Sequence, residues 1–383
     1  MFDYVMVRYG EIGTKGKNKK LFIKKLKESI KEKLSDLDDV VVYNRYERIY
    51  VKATNKEEVA NRLKKTPGVH SFCFVVFAKS IEELEEKTLL LAKNKKEIST
   101  FKINTRRGDK TFFLRSMEVT VKIADNILKN TNLKVDVKKP DFKINIEIRS
   151  EGIYFYDEMI SGLGGYPSGS IGRGLVLLSG GIDSPLAAYE MIRRGLSVSM
   201  IHFHSPPYTS LNSEKKVEDL ISILNEYQVN ITLYKLNFAK IQEEIYKKVD
   251  ENYSITILRR LMYKAASIVA KNEGIKVLIN GDNLGQVASQ TIESLSVISK
   301  DLDILVLRPL ISFDKNMIIE RAKLINTYDV SIKPYPDCCN IFEPKNPIIK
   351  PKYAKVKELE AKIDVDLLIN ESIEKIEVIS FKK

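Results

Sequence analysis

The stretch Leu175-Val176-Leu177-Leu178-Ser179-Gly180-Gly181-Ile182-Asp183-Ser184-Pro185 constrains the fold more than any other part of the chain. A short apolar run ends in two glycines, and a proline follows where a first helical turn tolerates it, so a buried strand must give way at once to a helix. Backbone freedom at the glycines lets several N–H groups converge on one anion, and the helix N-terminus adds its partial positive charge. Ser179 and Ser184 supply hydroxyls, while Asp183 is of the right chemistry to hold a Mg²⁺ that bridges phosphate oxygens. A Walker A loop is excluded, because no lysine follows Gly181 and because Gly16-Lys17-Asn18 is preceded by Glu11 where the first glycine belongs. A loop that grips pyrophosphate as a unit favours attack at the α-phosphorus, so adenylation of a substrate is the expected first step. Two glycines alone would fit an ordinary strand-to-helix turn; the two serines and the aspartate favour the nucleotide.

Around this loop the elements alternate as a parallel sheet requires. Apolar runs at 175–178, 198–203, 231–236, 277–280 and 304–307 are interleaved with helical patterns at 185–194, 213–227, 256–272 and 316–325. This α/β pattern predicts a doubly wound parallel sheet with helices on both faces and ligands at the carboxyl ends of the strands. A helical tail is expected over 352–383. The N-terminal part reads β-α-β-β-α-β over 2–8, 18–34, 40–43, 48–53, 57–64 and 72–78, a ferredoxin-like α+β unit. A second unit, 81–160, reads as a helix, a strand at 101–105, a turn at Arg106-Arg107-Gly108-Asp109-Lys110, a helix at 118–129 and a hairpin around Glu151-Gly152. Between Gly162 and Gly174 lie six glycines and a proline, a linker or binding-loop composition that sets the expected boundary. The expected domains are 1–58, 59–162, a linker at 163–173, and 174–383.

Charge divides along the same line. Residues 1–170 hold 34 Lys and Arg against 24 Asp and Glu, whereas 171–383 hold 29 against 27, so the net charge of +12 is almost all N-terminal. A cationic half beside a nearly neutral one fits a polyanion-binding module joined to a second function, although lysine-rich surfaces also serve solubility. No long apolar run marks a membrane span and no leader is visible at Met1-Phe2-Asp3-Tyr4, so a cytoplasmic protein with no membrane partner is expected. Three cysteines, two of them adjacent, cannot build a disulfide framework.

Ser179-Gly180-Gly181-Ile182-Asp183-Ser184 is similar to the PP-loop of ATP pyrophosphatases, and the rest of the chain narrows the match. Arg8-Tyr9-Gly10-Glu11-Ile12, Lys15-Gly16-Lys17-Asn18, Arg106 through Val119, His202-Phe203-His204-Ser205-Pro206-Pro207, Gly281 through Thr291 and Asp337-Cys338-Cys339 together resemble the bacterial tRNA 4-thiouridine synthetases (tRNA sulfurtransferases) over essentially the whole length. The resemblance implies a ferredoxin-like domain, a THUMP domain and an adenine nucleotide alpha hydrolase-like PP-loop domain. It implies ATP with Mg²⁺, persulfide sulfur on a cysteine, tRNA as partner with uridine 8 as target, and a homodimer. RNA contacts are expected at Arg8, Lys15, Lys17, Arg106, Arg107, Lys110 and Arg115. By the same resemblance Leu177, Leu178, Ser179, Gly180, Gly181, Asp183, Ser184, His202, Phe203, Arg259, Gly281 and Gln290 surround the nucleotide.

Three residue groups carry alternatives. His202 and His204 share a strand face and raise a metal site, but no further ligand has suitable spacing and a hydrogen-bonded histidine pair is preferred. Arg259-Arg260 fits either a phosphate contact or a solvated helix face. Cys338-Cys339 lies in a proline-rich loop, where chemistry competes with simple burial, and Cys73 sits in an apolar run that reads as core. In the family the second cysteine of the pair aligns with the essential one, which makes Cys339 the expected sulfur carrier and Cys338 the reserve. Longer members carry a rhodanese-like domain with another cysteine; the sequence here ends at Lys383, so direct delivery from a cysteine desulfurase is expected and a thiamine-thiazole role is in doubt. The rival readings are another PP-loop ligase that ignores the cysteines, and a non-catalytic RNA-binding protein.

Overall fold

The computed structural model describes residues 2–45, 48–95, 97–335, 338, 341 and 344–382. The chain divides into two compact units, 1–165 and 166–383.

In the first unit β1 (Tyr4–Arg8), α1 (Lys19–Lys33), β2 (Val41–Arg45), β3 (Arg48–Lys52), α2 (Lys56–Lys64) and β4 (Ser71–Ala78) form the ferredoxin-like arrangement. Phe22, Leu26 and Ile30 recur at helical spacing on α1 and are buried, which is why a lysine-rich segment nevertheless docks. Next come α3 (Ile81–Lys93), β5 (Thr100–Arg107), α4 (Ser116–Asn130), β6 (Lys134–Val135), β7 (Phe142–Arg149), β8 (Gly152–Tyr156) and β9 (Ile160–Ser161). One sheet runs through both parts in the order β2-β3-β1-β4-β8-β7-β5-β6, with β9 also on β4. Strand β4 joins them, because Ser71–Val75 pair with β1 and Val76–Ala78 pair with β8. Arg106 and Arg107, read from sequence as a turn, are strand residues opposite Glu147 and Ile148 of the parallel β7. That pairing holds them extended, and the turn begins only at Gly108.

Buried Glu147 collects the charge of this unit. Arg8 Nη2 donates to its Oε1 at 2.8 Å and Arg149 Nη2 to its Oε2 at 2.6 Å. Burial pushes the Glu147 carboxyl up, but the Arg149 hydrogen bond and the charges of Arg149, Arg8 and Arg48 outweigh it and hold the group below the usual glutamate range.

The second unit contains β10 (Gly172–Leu177), α5 (Asp183–Arg193), β11 (Leu196–His204), α6 (Leu211–Leu224), β12 (Ile231–Asn237), α7 (Ala239–Lys248), α8 (Ser254–Asn272), β13 (Val277–Ile279), α9 (Ile292–Ser299) and β14 (Leu305–Leu307). It closes with α10 (Lys315–Leu324), α11 (Tyr328–Ser331), α12 (Tyr353–Glu360), α13 (Val365–Glu374) and β15 (Glu377–Phe381). The sheet order is β14-β13-β10-β11-β12-β15, parallel except for the last strand. The expected helical tail therefore ends in a strand, because residues 377–381 satisfy the otherwise open edge of β12 in antiparallel register. From β10 the chain winds outward through β11 and β12, then returns to place β13 on the other side of β10. The strand order thus reverses at β10, and a crevice opens at the carboxyl ends of β10 and β13.

Replacing Glu147 by Ala would remove the carboxylate to which Arg8 and Arg149 both donate. The expected cost is about 3 kcal/mol, read as a shift of the first unit's urea unfolding transition. Since the native carboxyl is held low, its contribution is full above the unfolded glutamate value of about 4.3 and fades as pH falls through the lower native value. The substituted chain should lose that acid-side dependence.

Candidate active site

The glycine loop leaves the end of β10 and enters α5 as a stapled turn. Ser184 Oγ accepts from the Ser179 amide at 2.9 Å, lies 3.0 Å from Ser179 Oγ, and donates to the Ser179 carbonyl at 3.2 Å. Both serines are thereby spent on the shape of the loop as well as facing the cavity beyond it. Gly181 does not adopt a left-handed conformation, and a Cβ there would touch only Ser179 Oγ at 3.6 Å. Conformational freedom is thus not what Gly181 supplies, contrary to the sequence-level argument. The demanding glycine is Gly281 just past β13. A Cβ there would come within 2.6 Å of the Asp183 carbonyl carbon and 2.7 Å of the Ser184 amide nitrogen. The strand end and the start of α5 are in main-chain contact, and only glycine permits it.

Behind that contact lies Asp282, 4% exposed. Arg259 Nη2 donates to its Oδ1 at 2.5 Å; Asn280 Nδ2 at 2.6 Å, Tyr263 Oη at 3.1 Å and Arg308 Nε at 3.3 Å donate to its Oδ2. Gln290 Nε2 approaches Oδ1 at 3.4 Å. Burial pushes the carboxyl up, yet Arg259, Asn280 and Arg308 prevail and hold it below the usual aspartate range. Arg259 also donates to the Ser289 carbonyl at 2.9 Å, which fixes its guanidinium at the wall of the crevice. Its neighbour Arg260 points elsewhere, donating to Glu360 at 2.5 Å and to Asp301 at 3.2 Å, so neither arginine forms the solvated face that was the alternative.

A cavity of about 540 Å³ occupies the crevice. Of the residues expected around a nucleotide, Leu177, Leu178, Ser179, Asp183, Ser184, His202, Phe203, Arg259, Gly281 and Gln290 all line it, whereas Gly180 and Gly181 do not. His202 is buried with Nδ1 2.9 Å from the Leu178 carbonyl, and His204 Nδ1 lies 3.1 Å from Glu214 Oε1, so each histidine of the pair has a hydrogen-bond partner. Cys338 is buried and also lines the cavity; Cys339 lies outside the described residues. Cys73 is core, and burial pushes its thiol up to about 12.

Sequence reasoning missed the Asp282 hub, Asn280, Tyr263 and Arg308. Asp282 was visible within the Gly281–Thr291 run, but its partners are brought to it only by the fold.

In the first unit Arg8 and Arg106 share a small cavity of about 230 Å³ with Asn104, Asn145 and Tyr156. Lys17, Lys110 and Arg115 are exposed, and the Lys15 ammonium sits 5.0 Å over the Phe22 ring. Arg107 is turned inward onto the carbonyls of Phe112 and Leu114 at 3.3 and 3.2 Å, where it shapes the loop.

Among the described residues no group of three His, Cys, Asp or Glu side chains converges on a metal position. A cation that arrives with a nucleotide is a different matter. Buried Asp183 Oδ1 has no hydrogen-bond partner, and burial raises its carboxyl above the usual aspartate range, the Lys315 charge opposing. An unfilled carboxylate oxygen beside a phosphate loop is the donor that Mg²⁺ requires, so the residues fit.

The family model described as thiamine biosynthesis protein (ThiI) matches residues 169–365, that of the ThiI ferredoxin-like domain residues 4–73, and that of the THUMP domain residues 78–158. A probable tRNA sulfurtransferase of Staphylococcus aureus (strain MRSA252) is 40% identical over 383 residues, covering 99% of this chain and 94% of that protein. Another, of Macrococcus caseolyticus (strain JCSC5402), is 42% identical over 388 residues, covering 100% and 96%. The crystal structure of a 4-thiouridine synthetase–RNA complex with bound ATP matches with a TM-score of 0.94 and 34% identity over 100% of both chains.

A methyl group at position 281 must push Asp183 and the helix start away from the strand end. Gly281→Ala is expected to weaken ATP binding roughly tenfold or more, because an overpacked contact costs about 1–3 kcal/mol and each ~1.4 kcal/mol is about tenfold in affinity, with far-ultraviolet circular dichroism unchanged. Equilibrium dialysis with labelled ATP checks this.

Proposed function

Since the chain belongs to the tRNA sulfurtransferase family, we propose that it converts uridine 8 of tRNA to 4-thiouridine at the expense of ATP. The first unit, which carries nearly all the net positive charge, binds the tRNA, with Arg8, Lys15, Lys17, Arg106, Lys110 and Arg115 as phosphate or base contacts and Arg107 as a support of the loop between them. ATP lies in the cavity of the second unit, its phosphates on the 179–184 loop and the N-terminus of α5. Arg259, held by Asp282, faces a phosphate, and the Leu177, Phe203 and Met262 side chains give the base an apolar bed. Mg²⁺, held by Asp183, offsets phosphate charge when bound.

The uracil O4 attacks the α-phosphorus, the bond between α-phosphorus and bridging oxygen breaks, and pyrophosphate leaves. The terminal sulfur of a persulfide on Cys339 then attacks C4, and AMP departs with the former O4. A thiol opens the remaining S–S bond, leaving sulfur on the base and a disulfide on the protein side. A cysteine desulfurase supplies the sulfur, and the enzyme acts in the cytoplasm as a homodimer. Sulfur transfer for thiamine stays outside this reading. The observation that carries it is the shared cavity: Ser179, Asp183 and Ser184 of the loop and Cys338, next in sequence to Cys339, all line one crevice.

With labelled ATP and tRNA the products should be AMP and pyrophosphate. Asp183→Ala is expected to abolish pyrophosphate release, and Cys339→Ser to keep it while mass analysis of tRNA nucleosides finds no 4-thiouridine. Release of ADP and orthophosphate would overturn the proposal.

A further inference from the structure

The segment that leads into Cys339 is held by side chains that do not face the nucleotide. Lys216 on α6 is 5% exposed, and its Nζ donates to the carbonyls of Lys333 at 3.0 Å and Tyr335 at 3.3 Å. Gln242 on α7 is 2% exposed; its Nε2 donates to the Cys338 carbonyl at 2.7 Å, and its Oε1 accepts from Ser205 Oγ. Neither residue lines the cavity, whereas Cys338 does. Burying an ammonium and an amide is costly unless their donors are used, and here those donors meet the main-chain carbonyls of Lys333, Tyr335 and Cys338. Ser205 directly follows the end of β11, whose His202 and Phe203 wall the cavity. Gln242 therefore ties the cysteine-bearing segment to the strand that borders the nucleotide.

We infer that Lys216 and Gln242 are positioning residues for the sulfur-transfer step: they hold the main chain at Lys333, Tyr335 and Cys338, the residue next in sequence to Cys339. This rests on the reading that Cys339 carries the sulfur. A nucleophile carried on a loop depends on its anchors, because displacement by an ångström forfeits most of the advantage of proximity. Adenylation draws on these contacts far less: the phosphate loop is shaped chiefly by the Ser179–Ser184 contacts, and Arg259 is held by Asp282. One bond toward the segment comes from Ser331 Oγ, which donates to the Gly181 carbonyl at 3.2 Å from within α11.

The test uses the full chain carrying Gln242→Leu or Lys216→Met, with tRNA and ATP. Three quantities are read: tRNA-dependent pyrophosphate release, 4-thiouridine formed with a cysteine desulfurase and cysteine, and 4-thiouridine formed with inorganic sulfide, where HS⁻ attacks C4 directly and AMP leaves. Desulfurase-driven thiolation is expected to fall roughly tenfold or more, with pyrophosphate release and sulfide-driven thiolation kept within about twofold. Lys216→Arg, which keeps donors for both carbonyls, should restore the first quantity. Desulfurase-driven thiolation kept within about twofold in both variants overturns the inference, and so does a parallel fall of all three quantities, which would make the contacts merely structural. Failure of the underlying reading shows in a different protein: Cys339→Ser alone would still thiolate with the desulfurase, and the inference would fall with it.

Discussion

The second unit turns on one main-chain contact, that of Gly281 with Asp183 and Ser184. Strands β10 and β13 are neighbours in the sheet but far apart in sequence, and their carboxyl ends diverge into a loop and a helix. With any side chain at 281 the two ends would be separated by at least a methyl group, and the crevice would lose one of its walls. Contact without a Cβ brings three features to one face: the amides at the start of α5, the Asp183 carboxylate, and the arginine behind Asp282. A strand-order reversal opens the crevice; this contact sets its width.

Asp282 makes that geometry rigid, and magnitudes explain why it takes so many partners. Removing an ion from water costs several kcal/mol even after relaxation, while one ion pair at 4 Å in an effective dielectric near 20 returns only about 4 kcal/mol. A lone Arg259–Asp282 pair would therefore be marginal. Arg308, Asn280 and Tyr263 add donors to the same carboxylate, and their sum outweighs burial, as the depressed acidity of the group reflects. The first unit solves the same problem with Glu147 between Arg8 and Arg149. In each unit a single carboxylate with two arginines orients a guanidinium that lines a cavity, Arg259 in one and Arg8 in the other.

What the sequence made legible follows from how local each signal is. The glycine loop, its serines and Asp183 act within six residues of one another, and alternating apolar runs sufficed for the sheet and most helices. Asp282 was not legible as a hub because its arginines lie 23 and 26 residues away and meet it only in the folded chain. Helix α7 went unread for a related reason: its buried face is Ala239, Ile241, Gln242 and Ile245, and the glutamine interrupts the apolar stripe. Helix α9 is short and rich in serine and branched residues, and its start, Ile292, is 70% exposed. Strand β15 was lost in a tail whose helical spacing dominates until Glu374. In α7 a buried polar residue thus hid the element from a reading by hydrophobic period, and that same residue, Gln242, holds the Cys338 carbonyl.

The composition of the crevice bears on the order of events in the proposed reaction. Its volume of about 540 Å³ lies in the usual range for a small-molecule site, and Leu177, Phe203, Ile255 and Met262 make much of the wall apolar. An adenylated base is open to water as well as to sulfur, and attack by water would simply return uridine and waste the nucleotide. Apolar walls reduce the competitor, but the favoured nucleophile must then be delivered in place and not by diffusion through an open mouth. Fixing a reacting group at its target is worth an effective concentration of about 10⁵ M or more, far beyond what any free sulfur species reaches in a cell. Cys338 on the wall of that cavity, its carbonyl held by Gln242 while Lys216 holds those of Lys333 and Tyr335, meets that demand for the cysteine next to it in sequence. The anchoring at Cys338 and the apolar part of the crevice wall are therefore two halves of one requirement, since either alone would leave the activated base to the solvent.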